Sequence, residues 1–209
     1  MNDLFWEAWE YLQQGGWVMI PLGLASLSMW VLIFDRLAEY AAFSHGDIGM
    51  REALAVLDGT ADEPAGGGGL RRALLVRFLA ERSGDADLDR NILQQLMLNL
   101  RPRIRQHLAM IAILAAIAPL LGLLGTVLGM IETFEVIALF GTGNAKAMAG
   151  GISVALVTTQ AGLLVAIPGM IVSGALVRRA RRLEVRLDEF SHLLDRTLKH
   201  QLQARQARA

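Results

Sequence analysis

The 209-residue sequence contains no cysteine, so neither disulfides nor thiol chemistry contribute. Its four histidines, His45, His107, His192 and His200, are scattered, and none falls in a spacing that suggests a metal site. The glycine run at Gly66–Gly69 lacks the following lysine and the flanking strand that a phosphate-binding loop requires. No nucleophile–base pair is visible, so no cofactor is expected and an enzyme is the weakest reading. Lys plus Arg and Asp plus Glu each total 20, and a balanced chain of this kind argues against a general nucleic-acid binder. Charge is absent altogether from Leu108 to Ile131 and again from Ala147 to Val177, and the first 35 residues hold no Lys or Arg.

What is present is apolar. The chain is 54% hydrophobic with a mean hydropathy of +0.40, which predicts an all-α integral membrane protein. About 20 apolar residues cross a bilayer, and three runs reach that length. Residues 17–35 form the first predicted transmembrane helix. It has Trp17 at one end, Trp30, Phe34 and Tyr40 clustered toward the other, and Asp35-Arg36 closing the span. Residues 108–140 form the second and residues 147–177 the third, joined by a polar turn at 141–146. Both are longer than a bilayer needs. In the second, Gly125 and Gly129 form a Gly-x-x-x-Gly pair that admits another helix at close range, with Thr126 between them.

The remaining segments are amphipathic or polar. Residues 1–16 begin without basic character, unlike a cleavable signal peptide. Leu4, Phe5, Ala8, Trp9 and Leu12 predict a short amphipathic helix on a membrane face, broken by Gly15-Gly16. Residues 36–107 read as a helical soluble portion: a short helix over Asp47–Leu57, a flexible break at Pro64–Gly69, and helices over Leu70–Arg82 and Asp87–His107. Pro102 is expected to kink the entry into the second span, and Pro168 to bend the third. In residues 178–209, Leu183, Leu187, Phe190, Leu194, Leu198 and Leu202 continue the third span as an amphipathic helix. Its tail is expected to fray from Gln203.

Lys and Arg set the expected topology. Apart from Lys146, all of them lie in residues 36–107 or after Val177. The positive-inside rule then places the N-terminus outside, and the soluble portion and C-terminus inside. The second and third helices are expected to extend into the cytoplasm.

Few polar groups enter the apolar runs. Thr126, Ser153, Thr158, Thr159 and Gln160 either bond back to their own helix or line a wet seam for protons or ions, and the Gln160 amide should avoid lipid. Glu132 and Glu135, one turn apart, either reach the outer interface or belong to that pathway. Neither long span carries a carboxylate or lysine at its middle, so a proton crossing here needs an acid from a second subunit. Arg178, Arg179, Arg181 and Arg182 predict an anchor to anionic lipid.

Two segments carry a resemblance. Ala118-Pro-Leu-Leu-Gly-Leu-Leu-Gly-Thr-Val-Leu-Gly-Met-Ile-Glu-Thr-Phe134 and Gly151-Ile-Ser-Val-Ala-Leu-Val-Thr-Thr-Gln-Ala-Gly-Leu-Leu-Val-Ala-Ile-Pro168 resemble the ExbB/TolQ/MotA proton-channel family. Gln14-Gly-Gly-Trp-Val-Met-Ile-Pro21 and the overall length are similar to its shorter ExbB-type members. The resemblance implies a bacterial inner-membrane homopentamer around an apolar pore. The pore would enclose the helices of an ExbD-like partner whose aspartate carries the proton, and the motion would drive a TonB-like protein. It also implies that Thr126 and Thr159 are the paired pore threonines, with Thr158, Gln160 and Glu132 as further pathway candidates. Many members carry a glutamate where this chain has Val154. A TolQ-like role in envelope maintenance, a stator for motility or gliding, and a passive membrane scaffold are the competing readings.

Overall fold

The computed structural model describes residues 11, 13–57, 60 and 68–206. The described residues form six α-helices: α1 (Met19–Ser44), α2 (Met50–Leu57), α3 (Leu70–Glu81), α4 (Ala86–Arg105), α5 (Leu108–Phe140) and α6 (Ala145–Gln206), with one 3₁₀ turn at Gly141–Gly143. They contain no strand. Three of the helical stretches are long and apolar enough to cross a membrane. Of the helix expected over Met1–Gln14, only Tyr11, Gln13 and Gln14 fall among the described residues, and these are helical. Asp58-Gly59 and the glycine run before Gly68 also lie outside them.

The chain divides into two compact units, Met1–Phe34 with His107–Ala175, and Asp35–Gln106 with Leu176–Ala209. The first is the membrane unit. Gly16 adopts a positive φ of 66°, open to a residue without Cβ, and its carbonyl accepts from Met19 N at 3.2 Å, so the break opens directly into α1. Met19, Leu22, Ala118 and Ala166 form a small core with Leu121, Ala161 and Val165. Large apolar side chains such as Ile20, Leu24, Leu27, Val31 and Phe34 of α1 instead face outward. A fold whose surface is oily and whose core is small suits lipid as solvent, where close packing takes over the role hydrophobic burial has in water.

The second unit has a larger core: Tyr40, Leu74, Leu75, Phe78, Ile104, Leu187, Phe190 and Leu194 are all fully buried. Carboxylates and side-chain donors finish its helices. Asp47 Oδ1 accepts from Arg71 N at 2.9 Å at the start of α3. A methyl on Gly69 would stand 2.7 Å from Asp47 Cα, so glycine here permits a close approach and is not slack. Asp85 caps α4 by accepting from Asp87 N at 2.9 Å, satisfying donors the helix start leaves free. At the other end of α4, the last carbonyls lack intrahelical partners. Tyr40 Oη donates to Ile104 O at 2.7 Å and Arg36 Nη1 to Arg103 O at 3.3 Å. These two residues lie one turn apart on α1, and the arginine charge also suits the negative end of the helix dipole.

Local sequence signals and helix ends do not always coincide. The uncharged stretch of α1 ends at Asp35-Arg36 but the helix does not. Arg36 is nearly buried and paired with both Asp35 (2.8 Å) and Glu39 (2.5 Å), so its charge is accommodated within a helix that runs on to Ser44. Pro102 lies inside α4, and the interruption comes later, at His107, whose φ of 61° is left-handed. On α4 the buried face is Leu93, Leu96, Met97, Leu100 and Ile104. α6 continues unbroken through Pro168 for 62 residues, about 93 Å at 1.5 Å per residue.

An antiparallel ladder of ion pairs joins α4 to the second half of α6. Arg105 grips Glu184 with two hydrogen bonds, Nη2 to Oε2 at 2.7 Å. Arg101 meets Asp188 at 2.8 Å, and Arg90 meets Asp195 at 3.0 Å. Lys199 pairs with Asp195 at 2.8 Å, one turn along the same helix. Arg105 holds the Glu184 carboxyl below the ordinary carboxylate range, against the opposing effect of burial.

Candidate functional site

The membrane unit brings α5 and α6 together along a seam of small residues. On α5 the buried positions from Ala115 onward are Ala115, Ala118, Gly122, Gly125, Gly129 and Thr133. On α6, Gly151, Ala155, Thr158, Gly162, Ala166 and Gly169 are buried at the matching spacing. A methyl on Gly122 would stand 2.9 Å from Thr158 O, and one on Gly162 would stand 2.8 Å from Ala118 O. One on Gly125 would collide with the Cβ of Thr158. The partner admitted by the Gly125/Gly129 pair is thus α6 of the same chain. Glycine inside a helix is unfavourable by roughly 0.5–1 kcal/mol relative to alanine. Here it lets two backbones touch, and the many resulting contacts of about 0.1–0.2 kcal/mol each offset that loss.

The threonines divide into two classes. Thr158 is 0% exposed and Thr133 4%. Thr158 Oγ1 donates to Val154 O at 2.8 Å and Thr133 Oγ1 to Gly129 O at 2.8 Å. Thr126 and Thr159 are half-buried at the edge of the seam. Their hydroxyls also donate backward, to Leu123 O at 2.6 Å and Ala155 O at 2.8 Å. Thr126 follows Gly122 by one turn, and a methyl on Gly122 would stand 3.3 Å from Thr159 Cα, so the two flank the same stretch of seam. Each hydroxyl has its donor committed but keeps acceptor capacity. Such a pair can receive a hydrogen bond from a proton-bearing group or water; it cannot itself take up and release a proton near neutral pH.

The other predicted residues are dispersed. Gln160 is exposed on α6, on a face with Leu156, Leu163 and Leu164. Ser153 is half-buried. Glu132 and Glu135 are both exposed. A methyl on Gly16 would stand 3.8 Å from Val154 Cγ1, and one on Gly15 3.4 Å from Thr158 Cγ2, which puts the start of α1 level with Val154–Thr158. Gly129 abuts Gly151, so Glu132 lies past that level, in the part of the hairpin that overhangs α1. With 33 residues, α5 is about 50 Å long against a hydrocarbon core of about 30 Å, which leaves room for such an overhang. Arg178, Arg179, Arg181 and Arg182 are exposed, in the second unit. Among the described residues no cluster of His, Asp and Glu could hold a metal ion.

Sequence reasoning missed Thr133, Gly151, Gly162 and Gly169 as seam residues. The signal was there: small residues recur every three to four positions through Ala118, Gly122, Gly125, Gly129 and Thr133 and again through Gly151, Ala155, Thr158 and Gly162.

Residues 49–189 match the family described as the MotA/TolQ/ExbB proton channel family. A biopolymer transport protein ExbB of Aquifex aeolicus is 44% identical over 82 residues, 39% of this chain and 55% of that protein. A putative biopolymer transport protein ExbB-like 2 of Helicobacter pylori is 35% identical over 99 residues, 47% of this chain and 65% of that one. The biopolymer transport protein ExbB of Salmonella typhimurium is 28% identical over 178 residues, 78% of this chain and 72% of its own length. The match thus spans about half of the Aquifex relative's length.

Proposed function

Because this multi-pass membrane chain belongs to the MotA/TolQ/ExbB proton channel family, we propose that it is the ExbB-like stator subunit of a proton-driven motor in a bacterial inner membrane. In this reading several copies, five by family resemblance, form an oily collar. A single-span ExbD-like partner brings the aspartate that titrates, and the proton motive force energises a TonB-like protein for outer-membrane transport. The N-terminus faces the periplasm and the C-terminus the cytoplasm, as the distribution of Lys and Arg favours. Arg178, Arg179, Arg181 and Arg182 then lie where anionic headgroups of the inner leaflet would neutralise them.

One observation carries the reading. The half-buried hydroxyls of Thr126 and Thr159 flank one stretch of a seam between helices that hold no titratable group there. Such a wall serves a proton carried by another chain. Glu132 and Gln160 have lesser roles, as a solvated acid at the outer end and an amide that another polypeptide must satisfy.

The test compares neighbours. In cells expressing the chain with its partner, Thr159→Val should leave assembly intact and abolish energy-dependent uptake. Thr158→Val, which keeps the shape that fills the seam, should retain uptake. Normal uptake by Thr159→Val would remove that residue from the pathway, and uptake indifferent to protonophores would favour the passive scaffold.

A further inference from the structure

Two contacts across the α5–α6 seam are reciprocal. Thr158 of α6 fills the notch at Gly125 of α5, and Thr133 of α5 fills the notch at Gly151 of α6; a methyl on either glycine would collide with the opposing threonine. We infer that these four residues lock α5 and α6 in register so that the pair moves as one rigid body, holding Thr126 and Thr159 at a common level while motion in the working cycle occurs elsewhere. This rests on the pathway reading proposed above.

Each lock is a threonine whose rotamer is fixed. The β-branched side chain is stiff, the hydroxyl is bonded to its own helix, and both threonines are buried. The locks stand about two turns apart, eight residues on α5 and seven on α6 by sequence number. That spacing forbids a one-turn slip, about 5.4 Å, in both directions. Moving α6 one way would bring Gly162 to Gly125, leaving the notch empty, and would press the Ala155 methyl onto Thr133. Moving it the other way would seat Val154, which has the shape of threonine, at Gly125, but would press the Ala147 methyl onto Thr133 where Gly151 now leaves room. A close-packed interface of this kind has discrete arrangements and does not deform continuously, and here the neighbouring ones are blocked. Thr158 and Thr133 are positioning residues: their hydroxyls are spent within the seam, and they act on the pathway through the height of Thr126 and Thr159.

The absence of cysteine allows a direct test. A methyl on Gly169 would stand 3.1 Å from Ala115 Cβ, and apart from Ala115 its near neighbours are the Met29 sulfur and terminal methyl, the flexible end of a side chain. Disulfides prefer Cβ separations of about 3.5–4.5 Å, so the pair Ala115→Cys with Gly169→Cys needs only a small relaxation to form an α5–α6 staple. The complex of the full chain with its partner is reconstituted in vesicles, oxidised, and checked for loss of both alkylatable thiols. The expected result is proton flux within about two-fold of the reduced state, since the staple ties helices that do not move against each other. A larger loss on oxidation that reductant reverses would overturn the proposal while leaving the motor reading intact.

A size swap covers the case in which the stapled protein does not assemble. Gly125→Ala should lower flux and the yield of assembled complex at least ten-fold, and Gly125→Ala with Thr158→Gly should restore most of both. Wild-type behaviour of Gly125→Ala alone would refute the lock. If the wild-type complex carries no protons at all, the pathway reading fails, and the effect of the swap on assembly still judges the lock by itself.

Discussion

Tyr40→Phe removes a single oxygen from the centre of the second unit. Tyr40 is 0% exposed, and its hydroxyl donates to Ile104 O at 2.7 Å, one of the carbonyls that the end of α4 leaves without a helical partner. Phenylalanine keeps the ring and its packing, so the loss is confined to one buried hydrogen bond and one stranded acceptor. Stranding a buried polar group costs about 1–3 kcal/mol. For a chain of this size each kcal/mol moves the midpoint by about 2–4 °C, so the Tm of the purified protein in detergent should fall by roughly 2–12 °C. Thermal unfolding followed by far-UV circular dichroism measures it. Tyr11→Phe is the control, because Tyr11 is 46% exposed and should change nothing measurable. A Tyr40→Phe midpoint equal to that of wild type would refute the claim that Tyr40 caps α4, and Arg36, one turn back on α1, would then be left as the cap through Arg103 O.

Two further outcomes follow from the same geometry. Glu184 is held ionised by Arg105 with a carboxyl lowered from its ordinary value; a lowered folded value means stability that is present above the unfolded pKa and lost as pH falls through the folded one. The Tm of wild type should therefore drop more steeply than that of Glu184→Gln below the ordinary carboxylate range, and parallel curves would show that the pair contributes nothing. Val154→Glu places a carboxylate beside Gly16, away from the Thr126–Thr159 stretch; energy-dependent uptake should not rise, and a strong gain would show that the missing acid limits this motor.

Much of the fold was legible because membrane helices are specified by what they exclude. The uncharged run from Leu108 to Phe140, broken only by Glu132 and Glu135, coincides with α5. The leucine and phenylalanine repeat after Val177 points to the buried Leu187, Phe190 and Leu194. Helix ends were less legible than the apolar runs. Asp35-Arg36 closes the uncharged run, and the helix continues beyond it with Arg36 paired to its neighbours Asp35 and Glu39. Pro102 reads as the kink, yet its missing donor is tolerated within α4 and the backbone turns at His107, a residue type enriched at left-handed φ. The site was half visible. Glycine spacing announced a close helix neighbour, but the pairing of Gly125 with Thr158, far apart in sequence, is a property of register, and register separates a threonine that fills the seam from the adjacent one that borders it.

The central claim is a division of labour in which this chain supplies apolar walls with a few hydroxyls and another chain supplies the acid. The most direct measurement is proton flux into vesicles under a pH gradient, with the purified protein alone and with its single-span partner. Flux near that of empty vesicles for the protein alone, rising when the partner is added and abolished when the partner's membrane aspartate is replaced by asparagine, is the predicted result. Rapid, proton-selective flux through this protein by itself would contradict it.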